Sequence, residues 1–399
     1  MLKDSLDFEG LTVRAECIRQ RLNEHPEPSG EEVWATELIR HECERLGLEL
    51  LPVKIETGCV ARLRGSGNYA VALRADIDAV TLEFPLRRPF GKAMHTCGHD
   101  HHTAALLMAA ELLCANRNML INDVYFIFQP AEETLKGAAA MLNGGLRRVF
   151  DKPLAAVYGL HNRPELPAGA IVAQQGVRMA AKMDFELTVL GAGGHGGEPQ
   201  LCRDPIIASA QIIEAAQTIV SRSTAPQDAC VVSVCSINGG STQNFAPTAV
   251  TMTGSIRALK REVQTAAFER LTRLAESIAG INGCTARIQR TAEVPASEIS
   301  PRLAVFAMAS AQRVIRELGT GGIVSAEPAM GADDFALYAE LAPTCYYWVG
   351  SGTEGRDVHP WHDREFAADP GFLPAAALLY AYSALMDAAP EEPRSPQMR

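Results

Sequence analysis

The sequence predicts an α/β protein in which a mostly parallel sheet is flanked by helices and a smaller ferredoxin-like α+β domain is inserted. Apolar, strand-like runs alternate with helical segments up to about residue 160, which is typical of parallel sheets. After residue 172 the pattern becomes strand, helix, strand, strand, helix, strand, as in ferredoxin-like domains. From about residue 293 the first alternation resumes. We therefore expect a main domain made of residues 1–179 and 291–399, interrupted by an insert at 180–290.

In the main domain, apolar residues recur at helical spacing over 11–47, with a break at 25–30. Two helices therefore flank a turn, in which the Ser29 hydroxyl is placed to cap the second helix. The same patterns then predict, in order, a strand at 69–73, a helix at 102–114, a strand at 123–129, a helix at 135–142, a strand at 155–160 and a final helix at 374–388.

The insert begins with an alternating strand at 183–189, which is followed by a glycine-rich loop at 191–197. Its remaining predicted elements are a helix at 204–220, strands at 229–237 and 249–256, a helix at 262–279 and a strand near 285–289. The sequence shows no internal repeat, and only the tail at 389–399 has the composition of a disordered segment.

The composition is that of a globular protein. In 399 residues, 47% are hydrophobic and 21% are charged, so the chain can bury one large core or two smaller ones. The net charge of −10 argues against a surface for nucleic acid or for an anionic membrane. Aromatic residues make up only 6%, which argues against a platform for base stacking. We therefore expect neither a nucleic acid nor a membrane as partner.

The termini and the cysteines predict a cytoplasmic protein. Asp4, Asp7 and Glu9 stand where a secretory signal would carry a basic start and an apolar run. No uncharged apolar run approaches the roughly 18 to 20 residues that span a membrane. The ten cysteines are irregularly spaced, which is typical of reduced thiols. We expect the nine other than Cys97 to act as small packing residues.

The strongest chemical signal is a histidine-rich motif at residues 95–102. Four of the ten histidines and Cys97 fall within these eight residues. Such a density favours metal or proton chemistry. The alternative is a histidine-rich surface turn in which Asp100 or Thr103 caps the following helix.

Acidic pairs follow two of the predicted strands. Glu132 and Glu133 come after the strand at 123–129, and Asp76 and Asp78 come after the strand at 69–73. Because ligand sites in open α/β sheets collect at the carboxyl ends of strands, this placement favours a site. One glutamate can bind a metal while its neighbour acts as a base, and the two aspartates are suited to orienting a ligand histidine. A solvated helix start is the alternative for the glutamates.

Histidines recur at two further places. His161 follows the predicted strand at 155–160, and His359 and His362 stand together late in the chain. A single histidine after a strand is more often a structural residue than a ligand. Their occurrence in one chain with the histidine-rich motif and the acidic pairs favours a shared centre.

Seven motifs together carry a resemblance to a known family. In order along the chain they are RADIDA, MHTCGHDHHTA, FQPAEE, GLHN, GGHGG with RDPI, GGSTQNFAPTAVTMTGSIR and MGADDF. The chain resembles the aminoacylase and carboxypeptidase family of metal-dependent amidohydrolases. Within it, the chain is most similar to the branch of hippurate hydrolases, auxin-conjugate hydrolases and N-acetyl-amino-acid deacetylases.

The resemblance implies a dinuclear metal centre and a set of residues around it. The implied ligands are Cys97 between the two ions, Glu133 and His362 on one ion, and His99 and His161 on the other. His362 is preferred to His359 because Phe366 matches the aromatic residue that follows the family's ligand. The other implied roles are Glu132 as general base, His195 beside the scissile carbonyl, and Asn244 and Arg257 on the substrate.

The resemblance also implies the chemistry. A thiolate, imidazoles and carboxylates suit Zn²⁺ or Mn²⁺, with Co²⁺ or Ni²⁺ as alternatives. The expected reaction is hydrolysis of the amide bond of N-acyl amino acids, either hippurate-like, N-acetyl or aryl-acyl, to an amino acid and a carboxylic acid. The insert is expected to serve as a lid and to form a homodimer. The alternatives are hydrolytic deamination of an aromatic amine, dipeptide hydrolysis and metal-dependent binding without catalysis.

Two residues depart from the family pattern. His101 stands where relatives usually carry glycine, and Arg163 stands where they carry an aromatic residue. Both positions adjoin predicted metal ligands, so we expect them to alter the polarity of the substrate pocket.

Overall fold

The computed structural model describes residues 1–81 and 93–386. The chain divides into two compact units. The first contains residues 1–178, 298–327 and 333–399, and the second contains residues 179–297 and 328–332. The tail at 389–399, which the sequence predicts to be disordered, lies outside the described residues. Within residues 1–81 and 93–386, no helix has both the length and the apolar character needed to cross a membrane.

The α-helices are α1 (Phe8–Glu24), α2 (Val33–Arg45), α3 (His99–Ala115), α4 (Gly137–Asn143), α5 (Leu146–Val149), α6 (Pro205–Thr218), α7 (Arg261–Ile281), α8 (Ala304–Leu318) and α9 (Phe372–Leu385). The strands are β1 (Glu49–Leu51), β2 (Cys59–Leu63), β3 (Ala70–Asp76), β4 (Val80–Thr81), β5 (Ala93–Met94), β6 (Asp123–Gln129), β7 (Leu154–Pro167), β8 (Ala170–Val172), β9 (Gly176–Met179), β10 (Ala181–Leu190), β11 (Gly194–His195), β12 (Cys230–Asn238), β13 (Phe245–Ala246), β14 (Ala249–Ala258), β15 (Thr285–Val294), β16 (Ser297–Ile299), β17 (Gly322–Ile323) and β18 (Thr344–Gly352).

The first unit is built on a mixed sheet whose centre is parallel. Strands β6, β3, β7 and β18 are consecutive neighbours and pair in parallel, whereas β2 joins β6 antiparallel. All residues of β3 and β6 are buried, as expected for strands that are covered on both faces. Helices α3 and α9 are also almost wholly buried, and their alanines allow close packing. The predicted α/β class with a largely parallel sheet is confirmed.

Two predicted boundaries are wrong where the site is built. Helix α3 begins at His99 rather than at residue 102, so the end of the histidine-rich motif forms its first turn. Strand β7 continues to Pro167, so His161 and its neighbours lie within the strand and not after it. The extension occurs because β18 pairs with β7 over these polar residues, with Trp348 opposite His161.

The predicted cap of α2 is also wrong. The Ser29 hydroxyl donates to Asp78 Oδ2 at 2.6 Å rather than capping the helix. Instead, the Glu27 carboxylate accepts the backbone N–H groups of Trp34 at 3.0 Å and Ala35 at 2.9 Å. A longer acidic side chain from outside the helix therefore satisfies the free N–H groups of the first turn.

The second unit contains an antiparallel sheet of strand order β12-β14-β10-β15. Burial alternates strictly along β10, and Phe185, Leu187 and Val189 point into the core of this unit. Buried residues of α6 and α7 belong to the same core. The sheet therefore has one face that is covered by helices, as the alternation predicts.

Candidate metal centre

The carboxyl ends of neighbouring parallel strands bring the acidic motifs together. Asp76, the last residue of β3, is in register with Gln129, the last residue of β6. Asp78 and Glu133 follow these strand ends, and the Glu133 backbone N–H donates to Asp78 Oδ2 at 3.0 Å. The two acidic pairs therefore meet at one edge of the sheet, as the sequence predicts.

A glycine allows Cys97 and His99 to approach this edge. Gly98 has a φ of +90°, and a Cβ atom built on it would lie 2.4 Å from Asn162 Nδ2. That amide donates to the Cys97 carbonyl oxygen. Residue 98 must therefore lack a side chain for α3 to begin where it does.

Two groups of possible ligand atoms share Cys97. In each group the ligand atoms lie within 4.8 Å of one another. One group is Cys97, His99 and His161, and the other is Cys97, Glu133 and His362. The Cys97 Sγ lies 3.5 Å from His161 Nε2, and Glu133 Oε2 lies 3.3 Å from His362 Nε2. The structure thus brings five residues together as two groups of possible ligand atoms that share Cys97.

Of the two late histidines, only His362 faces this centre. Its backbone φ is +68°, and its N–H donates to the Thr96 carbonyl oxygen at 2.9 Å. The side chain contacts Glu133 but is 52% exposed, so this edge of the centre is open. His359 instead lies 3.7 Å from Asp363 and belongs to none of the ligand groups found among the described residues.

Hydrogen bonds orient two of the histidines. His99 Nδ1 lies 3.0 Å from the Asp78 carbonyl oxygen and 3.2 Å from Asp78 Oδ1. His161 Nδ1 lies 2.9 Å from the Asn162 carbonyl oxygen. Each Nδ1 therefore carries the proton and donates it, and each Nε2 is left as the atom available to a cation.

Asp76 performs a different task from the one expected. Its Oδ1 accepts from His102 Nδ1 at 2.6 Å, and His102 Nε2 accepts the backbone N–H of Asn162 at 3.0 Å. Both ring nitrogens of His102 are therefore used, so it links β3, α3 and β7. Asp76 Oδ2 lies 3.8 Å from His99 Nε2, beyond a hydrogen bond.

The donor set fits divalent cations. Within the described part of the chain, His99 Nε2 and Glu133 Oε1 are buried without a hydrogen-bond partner, and they lie 3.7 Å apart. Burial lowers the pKa of His99, but Asp76, Asp78 and Glu133 outweigh it and raise that pKa to about 10. A site that attracts a proton so strongly also stabilises a metal cation.

Neighbouring carboxylates also change the acidity of Cys97. Burial and then the charges of Glu133 and Glu132 raise the pKa of the Cys97 thiol. A cation must therefore displace the thiol proton on binding, as is general for cysteine ligands.

Glu132 lies in a buried acidic cluster that the sequence does not single out as a site. A Glu132 oxygen lies within 4.8 Å of carboxylate oxygens of Asp333 and Asp334. Burial and then the charge of Asp333 raise the pKa of Glu132 well above its usual range. Arg74 is fully buried beside the two aspartates and offsets their charge, with Nη2 lying 3.1 Å from Asp333 Oδ1.

The aspartates are anchored from several directions. Asp334 Oδ1 accepts from Gln129 Nε2 at 2.7 Å, and its Oδ2 accepts the Ala138 N–H at 2.8 Å. The Tyr346 hydroxyl donates to Asp333. The only signal for this cluster in the sequence is the paired acids of the MGADDF motif.

The unusual His101 faces away from the ligands. Its Nδ1 lies 3.0 Å from Asp100 Oδ1, and its ring packs at 6.0 Å from the Phe372 ring. His95 is buried as well, and burial lowers its pKa. Neither histidine belongs to a ligand group in the part of the chain that the structure describes.

The unusual Arg163 stacks between two indoles. Its Cζ lies 4.0 Å from the centre of the Trp348 ring and 5.2 Å from that of Trp361. Trp361 in turn donates from Nε1 to Asn162 Oδ1 at 3.1 Å and packs edge-on at 4.8 Å from His161. The guanidinium therefore packs against the aromatic residues that lie behind His161.

The remaining predicted residues lie in the second unit. His195 on β11 pairs with Phe245 on β13, and its Nδ1 accepts the Gly197 N–H at 3.1 Å. Asn244 precedes β13, and its carbonyl oxygen accepts the Gly196 N–H at 2.8 Å. Both side chains are exposed.

Arg257 is placed separately on β14. It stands in register with Lys182 on β10, and its Nη1 donates to the Met330 carbonyl oxygen at 2.9 Å. The guanidinium is half-buried, so part of it remains in contact with solvent.

Comparisons with known proteins agree with these features. The model of peptidase family M20/M25/M40 matches residues 72–384. The chain is 36% identical to N-acetylcysteine deacetylase of Bacillus subtilis, over 92% of this chain and 95% of that protein. It is 32% identical to hippurate hydrolase of Campylobacter jejuni, over 96% of this chain and 98% of that protein. A solved Bacillus subtilis structure described as a dinuclear metal binding peptidase of the M20 family is 33% identical, covers 94% of this chain and 98% of its own, and superposes with a TM-score of 0.79.

Proposed function

Because this chain belongs to peptidase family M20/M25/M40, whose members include metal-dependent amidohydrolases like it, we propose that it hydrolyses the amide bond of N-acyl amino acids. The products are an amino acid and a carboxylic acid. The observation that carries the proposal is the pair of ligand groups joined at Cys97, with Glu132 beside them. The similarity to a deacetylase and to hippurate hydrolase supports N-acetyl and aryl-acyl substrates.

In this proposal, five residues hold two divalent cations. Cys97, Glu133 and His362 would hold one of them, and Cys97, His99 and His161 would hold the other. Sulfur, nitrogen and carboxylate donors suit Zn²⁺ or Mn²⁺, and also Co²⁺ or Ni²⁺. When bound, the cations supply Lewis acidity and lower the pKa of a water molecule.

Glu132 is the proposed general base. Its carboxylate is 6% exposed and lies 3.8 Å from His99 Nε2, so it borders the centre without belonging to either Cys97-centred group. Burial and neighbouring acids raise its pKa, which strengthens it as a proton acceptor. It accepts a proton from water and later delivers that proton to the leaving amine.

The second unit is proposed to act as a ferredoxin-like lid and as the contact of a homodimer. His195 would stabilise the oxyanion that develops at the scissile carbonyl, and Asn244 and Arg257 would hold the substrate carboxylate. Support comes from the family resemblance and from the exposure of His195 and Asn244. Light scattering of the purified protein measures the dimer.

A substrate panel tests the reaction. We expect the Mn²⁺- or Zn²⁺-loaded protein to release free amine from N-acetyl amino acids, hippurate or related aryl-acyl amino acids. We expect a chelator to abolish the release, and Glu132→Ala to lower kcat by at least the roughly 10²–10⁴-fold that general base catalysis contributes. A matched control is Glu37→Ala, which removes an exposed carboxylate on α2.

Each of the other results has a definite meaning. Full activity in Glu132→Ala contradicts the assignment of the base. Release from dipeptides or from aromatic amines alone shows that the same centre serves a different substrate. Binding of N-acyl amino acids without any product contradicts catalysis and identifies a binding protein.

A further inference from the structure

Glu32, which the sequence does not single out, joins two distant parts of the chain. Its side chain is 0% exposed. Oε1 accepts the backbone N–H groups of Gly30 at 2.9 Å and Ala131 at 2.8 Å, and Oε2 accepts the Thr57 hydroxyl at 2.7 Å. A single buried carboxylate therefore holds the backbone immediately before Glu132.

The backbone at Ala131 is unusual and needs support. Its φ is +54°, in the left-handed region that residues with side chains rarely adopt. Its carbonyl oxygen accepts the N–H groups of Lys136 at 3.2 Å and Gly137 at 3.1 Å, which closes a turn. Glu132 and Glu133 project from this turn, so the position of Ala131 sets where both carboxylates lie.

The same segment fixes the other side of Glu132. The Ser29 hydroxyl donates to Asp78 Oδ2, and that oxygen also accepts the Glu133 N–H. Glu32 therefore holds the backbone before Glu132 by a direct hydrogen bond to Ala131. Ser29 contributes to holding the backbone after Glu132, because it binds the same Asp78 oxygen as the Glu133 N–H. We propose that Glu32 is a positioning residue, which holds Ala131 so that Glu132 and Glu133 meet the metal centre correctly.

This proposal rests on the proposed role of Glu132, and it requires acceptor atoms at residue 32 rather than a charge. In Glu32→Gln, the amide oxygen can accept both backbone N–H groups while the amide nitrogen donates to Thr57. Glu32→Leu provides no acceptor and leaves two N–H groups unpaired. Glu32→Ser also removes the contact but leaves room for water, which lets the chain fold if the leucine variant does not.

Glu27 offers a matched control. It lies in the same segment, and its carboxylate also accepts two backbone N–H groups, those of Trp34 and Ala35. These belong to the first turn of α2, so Glu27→Leu removes a similar pair of hydrogen bonds without releasing Ala131.

The experiment compares these variants as metal-loaded enzymes. We expect Glu32→Leu and Glu32→Ser to lose about 100-fold in kcat with little change in KM, since a small misplacement of a catalytic group has that effect. We expect their Mn²⁺ affinity, measured by competition with a chelating dye, to fall at least about 10-fold. Glu32→Gln should keep the wild-type kcat and Mn²⁺ affinity. Glu27→Leu should have a lower Tm but the same kcat and Mn²⁺ affinity as the wild-type protein.

Three results would overturn the proposal. The first is that both Glu32→Leu and Glu32→Ser keep the kcat and the Mn²⁺ affinity of the wild-type protein. The second and third are that Glu32→Gln, or Glu27→Leu, loses as much kcat and Mn²⁺ affinity as Glu32→Leu does. If the wild-type protein hydrolyses none of the substrates, the proposed function fails. Mn²⁺ affinity and hydrogen exchange then still test whether Glu32 positions Ala131. Faster exchange of the Ala131 amide in the leucine and serine variants then supports positioning, and unchanged exchange contradicts it.

Discussion

At the scale of single residues, the chemistry of the centre depends on charges that are buried together. Asp334 shows this most clearly, because burial raises its pKa to about 7 even though Arg74 opposes the shift. Gln129 and the Ala138 N–H hold both of its oxygens in place. In this setting the Asp334 carboxyl group takes up a proton near neutral pH. In the unfolded chain the same group takes up a proton only in acid.

This difference predicts a pH dependence of stability. The folded form binds the Asp334 proton more tightly than the unfolded form, so its contribution is fully present below about pH 4 and is lost as the pH rises through about 7. The free energy of unfolding of metal-free wild type, minus that of Asp334→Asn, should therefore increase as the pH falls from 8 to 5. The slope should reach at most about 1.4 kcal/mol per pH unit.

Urea unfolding at several pH values measures this difference. A difference that stays constant from pH 8 to 5, or one that shrinks as the pH falls, would contradict the raised pKa of Asp334.

At the scale of elements, the start of α3 depends on close contact with β7. Gly98 supplies the left-handed backbone from which the helix begins, and Asn162 on β7 occupies the space that a side chain would need. Cys97 and His99 flank this glycine, so its conformation places two of the proposed ligands at once.

Gly98→Ala should therefore lose metal affinity as well as stability. The added Cβ combines a strained φ with a clash against the Asn162 amide, so we expect Mn²⁺ affinity to fall by at least about 10-fold. Gly319→Ala is the matched control. It also stands at a helix end with a positive φ of 71°, but a Cβ there meets no atom of the described chain within 4 Å. Equal Mn²⁺ affinity in both variants, measured with a chelating dye, would contradict the assigned role of Gly98.

The elements also show what local patterns predict and what they miss. Strand β6 is predicted with its correct bounds because its apolar run is uninterrupted and ends at a proline. Strand β7 is predicted too short because polar residues from His161 onward resemble the end of a strand. Their extended conformation depends on pairing with β18, which lies almost 200 residues away and which periodicity does not localise.

At the scale of the whole molecule, residue type decided which parts of the centre the sequence could predict. Cys97 and the histidines proposed as ligands stand out because they lie in motifs that resemble those of a known family. Glu32 is not singled out, and Asp334 only as part of the MGADDF motif, since acids are common on surfaces and only the tertiary structure shows that these two are buried. Ser29 was predicted to act locally, but its partner Asp78 comes from a strand end far along the chain.

The number of cations bound per chain measures whether Cys97 joins two complete ligand groups, as we propose. Titration of the metal-free protein with Mn²⁺ or Zn²⁺, followed by metal analysis, should give two ions per chain at saturation. The double variant Glu133→Ala with His362→Ala should retain one, since His99 and His161 remain with Cys97. A single ion in the wild-type protein, or two ions in the double variant, would show that Cys97 does not join two ligand groups.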